Sequence, residues 1–224
     1  MKVVVKADIL GRNDAAAAEN AALFARHGIY ALNLLGSPGA GKTSLLEQTL
    51  AELGTDLRIA VIEGDLFTTK DAARIERCGA QVVQINTSGG CHLDAGMVAA
   101  ALEKIDLTAL DLIVIENVGN LVCPAEFALG EDAKAVVLSI TEGDDKPLKY
   151  PLIFKESAAA LLNKVDILPY TNFDMASACA DIRALHPGIA VLPVSCRTGE
   201  GLSAWYAWLR AQAAAKKAAQ EESR

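Results

Sequence analysis

From Tyr30 onward the chain repeats one pattern: a short, nearly continuous apolar run, then a longer stretch with apolar residues at helical spacing. The apolar runs are Tyr30–Leu35, Leu57–Ile62, Gln81–Ile85, Leu112–Ile115, Ala135–Ile140, Ala158–Leu162 and Ile189–Val194. Runs this short and this uniformly apolar predict strands buried on both faces. Between them Thr43–Leu53, Thr68–Cys78, Leu93–Lys104, Tyr150–Lys155, Asp174–Leu185 and a last stretch from Leu202 carry the helical period. The alternation predicts an α/β fold: a doubly wound, mostly parallel sheet of about seven strands flanked by helices. Parallel neighbours need crossovers, and the spacing supplies them. Ligands of such sheets sit beyond the carboxyl ends of strands, so the residues just after each run are the ones to read for chemistry.

The two ends differ from this core. Asp14 to His27 is Ala-rich at helical spacing, with Asp14 placed to cap it, so 1–29 reads as a helical extension of a core over 30–210. Residues 211–224 are low in complexity, rich in Ala, Lys, Glu and Gln, and read as a flexible, fraying extension of the last helix. A length of 224 residues with 52% hydrophobic content suits one domain.

Net charge is −7, and no basic run exceeds the Lys216-Lys217 pair, which argues against nucleic acid as a partner. No stretch approaches the ~20 apolar residues of a membrane helix. Met1 to Leu10 has no long apolar core and no small-residue cleavage site, so it does not read as a secretory signal. Five cysteines at irregular spacing argue for reduced thiols and a cytoplasmic protein.

Gly36-Ser37-Pro38-Gly39-Ala40-Gly41-Lys42-Thr43 matches G-x-x-x-x-G-K-[ST] in full, after an apolar strand and before a helix. The glycines let the backbone turn its N–H groups onto phosphate oxygens. Lys42 reaches the β- and γ-phosphates, Thr43 binds Mg²⁺, and Ser44 continues the binding segment into the helix. This assigns a P-loop NTPase.

The base is read as guanine. Asn163-Lys164-Val165-Asp166 resembles the N-K-x-D signature of GTPases, in which a carboxylate at Asp166 accepts from both donors on the guanine edge. Adenine has no such pair and would leave a buried carboxylate unpaired. Ser195-Cys196-Arg197, after the last strand, resembles the loop that offers a backbone N–H to the guanine O6.

Glu63-Gly64-Asp65 closes the second strand, and Thr68 and Asp71 follow. Carboxylates placed here can hold Mg²⁺ through water, with Asp65 the first choice and Asp71 open to a plainer part as a first-turn helix charge. Glu116-Asn117-Val118-Gly119 closes the fourth strand, with Glu116 facing the Mg²⁺ shell and the Gly119 N–H the γ-phosphate. Lys42, Asp65 and Glu116 are the candidate catalytic residues. No glutamine or arginine is evidently placed to assist, which predicts slow turnover of GTP to GDP.

Cys91-His92 follows the third strand and Cys123 follows the Glu116 segment, both on the nucleotide side. Two thiolates and an imidazole suit Zn²⁺ or Ni²⁺. Three ligands leave a tetrahedral site incomplete, open or completed by a second subunit. Spacing alone also allows two small buried thiols and a capping histidine, because adjacent Cys and His side chains can diverge and no CxxC or HxxxH is present. Cys78 and Cys179 read as core.

Taken together, Gly36–Thr43, Glu63–Asp65, Ser88-Gly-Gly-Cys-His92, Glu116–Pro124 and Asn163–Asp166 resemble the HypB family of hydrogenase nickel-incorporation GTPases, over about Ala15 to Leu209. The resemblance implies a GTP-dependent homodimer, metal ligation by Cys91, His92 and Cys123 at the subunit interface, and GTP-gated nickel passage with a HypA-like chaperone to the hydrogenase large subunit. Unlike some relatives, this sequence has no Cys-rich N-terminal motif and no His-rich storage tract, since its only histidines are His27, His92 and His186. The nearest rivals are a UreG-like or cobalamin-enzyme metallochaperone, a small-molecule P-loop kinase, and a GTP switch with purely structural Zn²⁺.

Overall fold

The seven apolar runs form the seven strands of one sheet in this computed structural model, which describes residues 6–65 and 70–222. The strands are β1 (Tyr30–Gly36), β2 (Ile59–Asp65), β3 (Gln81–Asn86), β4 (Leu112–Glu116), β5 (Ala133–Ser139), β6 (Ser157–Asn163) and β7 (Ala190–Val194). Their order is β3-β2-β4-β1-β5-β6-β7, and every pairing is parallel. The order reverses direction about β1, which opens a crevice at its carboxyl end between β4 and β5.

Helices α1 (Lys6–His27), α2 (Lys42–Leu53), α3 (Lys70–Glu76), α4 (Ala95–Leu102), α5 (Cys123–Glu126), α6 (Lys146–Lys149), α7 (Pro151–Lys155), α8 (Met175–Leu185) and α9 (Leu202–Glu222) cover both faces. Leu45 and Leu46 of α2 join Trp205 and Leu209 of α9 in one core, while Phe24 of α1 and Val98 of α4 build the other. Burial on both faces is confined to the middle of the sheet. Edge strands β3 and β7 are only partly covered, because each lacks a strand on one side.

Several boundaries differ from expectation. Asp94 accepts from the Met97 N–H at 2.8 Å, so α4 starts at Ala95 rather than Leu93. The stretch read as one helix from Tyr150 to Lys155 is α7 preceded by the separate α6, the break coming where Pro151 cannot continue a hydrogen-bond ladder. Helix α3 stops at Glu76 and leaves Cys78 exposed instead of in the core, whereas Cys179, on α8, packs partly buried against the apolar cluster that holds Phe154 and Ile182. Thr68 lies outside the described residues, as do Met1–Val5 of the segment read for a signal.

The largest difference is at the carboxyl end. Helix α9 continues unbroken to Glu222 because Trp205, Leu209 and Ala213, four residues apart, hold one stripe against the core. Beyond them Lys216 pairs with Asp132, Lys217 lies 3.4 Å from Asp111, and the Gln220 amide donates to the Arg26 carbonyl at 2.9 Å. The segment read as a fraying, flexible extension of the last helix continues that helix through residue 222 and is docked. Among the described residues no helix is long and apolar enough to cross a membrane.

Candidate functional site

The phosphate loop leaves the central strand β1 at Gly36 and enters α2 at Lys42, as the motif requires. Gly41 sits at φ 103°, and a Cβ there would lie 2.3 Å from the Asn163 amide nitrogen, so only glycine lets the loop pass this close to β6. Lys42 folds back over the loop and donates to the carbonyls of Gly36 (3.2 Å) and Ser37 (3.3 Å). Burial lowers its pKa, and the neighbouring Glu116 opposes that shift.

A cavity of about 420 Å³ opens here, lined among others by Lys42, Thr43, Glu63, Asp65, Arg74 and Glu116. A second cavity of about 330 Å³ is lined by Asn163, Asp166, Ile167, Cys196 and Arg197. The two share Gly41, Ser44 and Lys164, so they form one trough with a phosphate end and a base end.

At the base end Asn163 is a clamp. It donates to the Ala40 carbonyl at 2.9 Å and accepts from the backbone N–H groups of Lys164 (2.8 Å) and Cys196 (3.2 Å). One buried side chain thereby ties the phosphate loop, the β6 signature and the β7 loop together. Lys164 adopts a left-handed backbone (φ 71°) and donates to the Gly39 carbonyl at 2.7 Å. Asp166 accepts from the Ser195 hydroxyl at 2.7 Å, and Arg197 lies 3.7 Å from its other oxygen. The Cys196 thiol, pushed up to about 11 by burial, stays protonated.

At the phosphate end the Thr43 hydroxyl donates to Glu116 at 2.9 Å, leaving its lone pairs free to face a cation. Glu63, register partner of Glu116 across β2 and β4, is as deeply buried. Neither glutamate's Oε2 has a hydrogen-bond partner among the described residues. Burial, then repulsion from Glu116, raises Glu63 to about 8; burial raises Glu116 to about 7. The donor set of one hydroxyl and several under-satisfied carboxylate oxygens fits a hard, hydrated cation such as Mg²⁺. Asp65 and Asp71 both line the same cavity, and Asp71 pairs there with Arg74 at 3.1 Å.

Two residues of this cavity stand outside the first-choice assignments. Glu63 stands two before Asp65 on a strand, and that period of two was the signal for a shared face. Arg74 also lines the cavity, where Glu47 (2.6 Å) and Asp71 hold it and it donates to the Ser44 hydroxyl at 3.3 Å. The Ser37 hydroxyl turns away and bonds to Glu142.

Cys91, His92 and Cys123 converge: one ligand atom from each lies within 4.8 Å of the others. The adjacent side chains do not diverge, since the Cys91 sulfur is 3.4 Å from the His92 Nδ1. Phe127 stacks on the His92 ring with centroids 3.9 Å apart and holds its plane. Burial lowers the His92 pKa, favouring the neutral imidazole that ligates, and Cys91 is exposed rather than a core thiol. A hydrogen bond with Cys123, then burial, raises the Cys91 thiol.

Asn120 connects this cluster to the phosphate loop. Its backbone N–H donates to the Gly36 carbonyl (3.0 Å), its side-chain amide donates to the Cys91 carbonyl (3.3 Å), and its side-chain oxygen accepts from Val122 N–H (2.9 Å), next to Cys123. Buried Asn117 adds a second link, accepting from the N–H groups of Leu93 and Val118.

A family model described as CobW/HypB/UreG, nucleotide-binding domain, matches residues 30–193. The hydrogenase maturation factor HypB of Rhizobium leguminosarum bv. viciae is 53% identical over 212 residues, 95% of this chain and 71% of that protein. The crystal structure of HypB from Helicobacter pylori in complex with nickel superposes with a TM-score of 0.87 at 37% identity, covering 92% of this chain and 97% of that one. HypB from Archaeoglobus fulgidus gives 0.86 at 35% identity, covering 91% and 100%. With the nucleotide trough and the thiol-imidazole cluster in one molecule, and relatives this similar over nearly its whole length, the chain belongs to the CobW/HypB/UreG family and, within it, to the HypB hydrogenase maturation factors.

Proposed function

We propose that the chain binds GTP with Mg²⁺, hydrolyses it slowly to GDP and phosphate, and uses the state of the nucleotide to control nickel held by Cys91, His92 and Cys123. The two joined cavities, one lined by the phosphate loop and one by the Asn163–Asp166 signature, support a nucleoside triphosphate, and the paired oxygens of Asp166 support guanine. Lys42 meets the β- and γ-phosphates once it leaves the Gly36 and Ser37 carbonyls, and the Gly119 N–H meets the γ-phosphate. Gly119 is pressed against Pro38, where a Cβ would come within 2.9 Å of the backbone, so a change at the γ-phosphate is transmitted directly to this segment.

Thr43, Asp65 and Glu116 are the residues to hold Mg²⁺, which when bound neutralises charge on the phosphoryl oxygens. Turnover is slow because Arg74, the arginine of the cavity, is already paired with Glu47 and Asp71. Three soft ligands leave a coordination position for a second copy of the chain or for a HypA-like chaperone, and the nickel passes on to the hydrogenase large subunit in the cytoplasm. Zn²⁺ competes for the same donors.

The observation that carries this reading is the Asn120 bridge between Gly36 and both halves of the metal cluster. Titrating Ni²⁺ into protein loaded with GDP or with GTPγS tests it. The two affinities are expected to differ by roughly 5- to 100-fold, the usual size of an allosteric coupling. Cys91→Ala and Cys123→Ala are expected to lose Ni²⁺ affinity while keeping GTP. Equal Ni²⁺ affinity in both nucleotide states refutes the coupling.

A further inference from the structure

Glu63 is a buried carboxylate of the phosphate cavity outside the Thr43, Asp65 and Glu116 set. It is 3% exposed, its Oε2 has no hydrogen-bond partner among the described residues, and it lines the phosphate cavity beside Lys42, Thr43 and Glu116. A lone acidic side chain at this depth destabilises the fold, and an apolar or amide residue would pack more cheaply. Its direction is set by the strand. A Cβ on Gly64 would lie 2.8 Å from Leu93, so that face of β2 is closed by packing, and Glu63 and Asp65 point to the other, where the phosphates bind.

Charge narrows what can satisfy it. Glu63 and Glu116 are register partners, and Lys42 already serves two loop carbonyls and is needed by the phosphates. Adding a triphosphate to two facing carboxylates is unfavourable without a divalent cation carrying water donors. Mg²⁺ keeps several of its waters and is held by one or two carboxylates plus phosphate oxygens. Glu116 is bonded to Thr43 and so belongs close to the ion, while Glu63, one strand further out, is left to accept from its water shell.

We propose that Glu63 is a further carboxylate of the Mg²⁺ site, accepting from a water of the ion's shell, and that it sets how strongly GTP binding depends on Mg²⁺. This rests on the GTP reading above. Protein without Glu63 loses repulsion toward the phosphates and loses an anchor for the cation. The two effects have opposite signs and are separable by varying free Mg²⁺.

The test is the affinity of a fluorescent GTPγS analogue across free Mg²⁺ from EDTA to millimolar, for wild type, Glu63→Gln and Glu63→Ala, with thermal melts to confirm folding. In EDTA both variants are expected to bind as tightly as wild type or tighter. The Mg²⁺ concentration giving half of the affinity enhancement is expected to rise about tenfold, since the anchor is one outer-shell charged hydrogen bond. An unchanged Mg²⁺ midpoint in whichever variant folds overturns the proposal. A loss of GTP turnover with an unchanged midpoint also overturns it, by assigning Glu63 to the attacking water. Wild-type protein that fails to bind the analogue under any condition refutes the GTP reading instead.

Discussion

Asp166, the residue proposed to read the base, has oxygens that already have protein partners, the Ser195 hydroxyl at 2.7 Å and Arg197 at 3.7 Å, so its carboxylate is held in one orientation before any ligand arrives. Asp166→Asn replaces an acceptor with a donor. The expected result is a 10- to 100-fold loss of GTP affinity, about the worth of one hydrogen bond to a charged group, with a gain for xanthosine triphosphate. Competition between the two nucleotides measures it. Glu63 and Glu116 make a different prediction, on pH. Their folded-state pKa values, about 8 and 7, stand above the ordinary 4.5, so the folded protein holds protons that the unfolded chain releases. Stability without nucleotide therefore falls as pH rises from about 4.5 toward 8. Denaturant midpoints at pH 5 and pH 8 check the sign, and Glu63→Gln is expected to flatten the slope.

Elements, not single residues, bring the two ligand sites together. Cys91 and His92 lie in the loop between β3 and α4, and Cys123 opens α5 after β4. Helix α1 clasps the far ends of both: Asn13 bonds to Ala95 and Ala128, and Asn20 to Ala95 and Leu129. Asn120 ties their near ends to β1. Asn120→Ala keeps the backbone bond to Gly36 and removes both side-chain bonds. It is expected to retain GTP and Ni²⁺ binding yet shrink the difference in Ni²⁺ affinity between GDP and GTPγS states toward unity. The same pair of titrations reads this out. A full-sized difference in the variant assigns the coupling to Asn117 and the backbone.

For the molecule as a whole, linkage demands that any factor by which GTPγS changes Ni²⁺ affinity be returned as the same factor in GTPγS affinity when nickel is bound. That reciprocity separates a coupled switch from two neighbouring sites. The mechanical basis of the proposed coupling is that both sites hang from the carboxyl end of one parallel sheet whose central strand is buried along its length. The docked end of α9 adds to that rigidity by joining the far helix α1 through Gln220.

The strands, the phosphate loop and the base signature were legible in the linear pattern, because each is set by neighbours within a few residues: apolar runs, glycine spacing, and a lysine and threonine at a helix start. Resemblance added the metal role of Cys91, His92 and Cys123, which spacing alone left open. Only the tertiary structure decided the rest. Whether Cys91 and His92 converge with Cys123 depends on two loops from different strands. That Glu63 faces Glu116 depends on a register between β2 and β4. That residues 211–222 dock depends on Asp111, Asp132 and Arg26, distant in the chain. The physical reason is the same in all three: local propensity is written in adjacent residues, but the pairing of distant charges and ligands is fixed only when the sheet orders its strands.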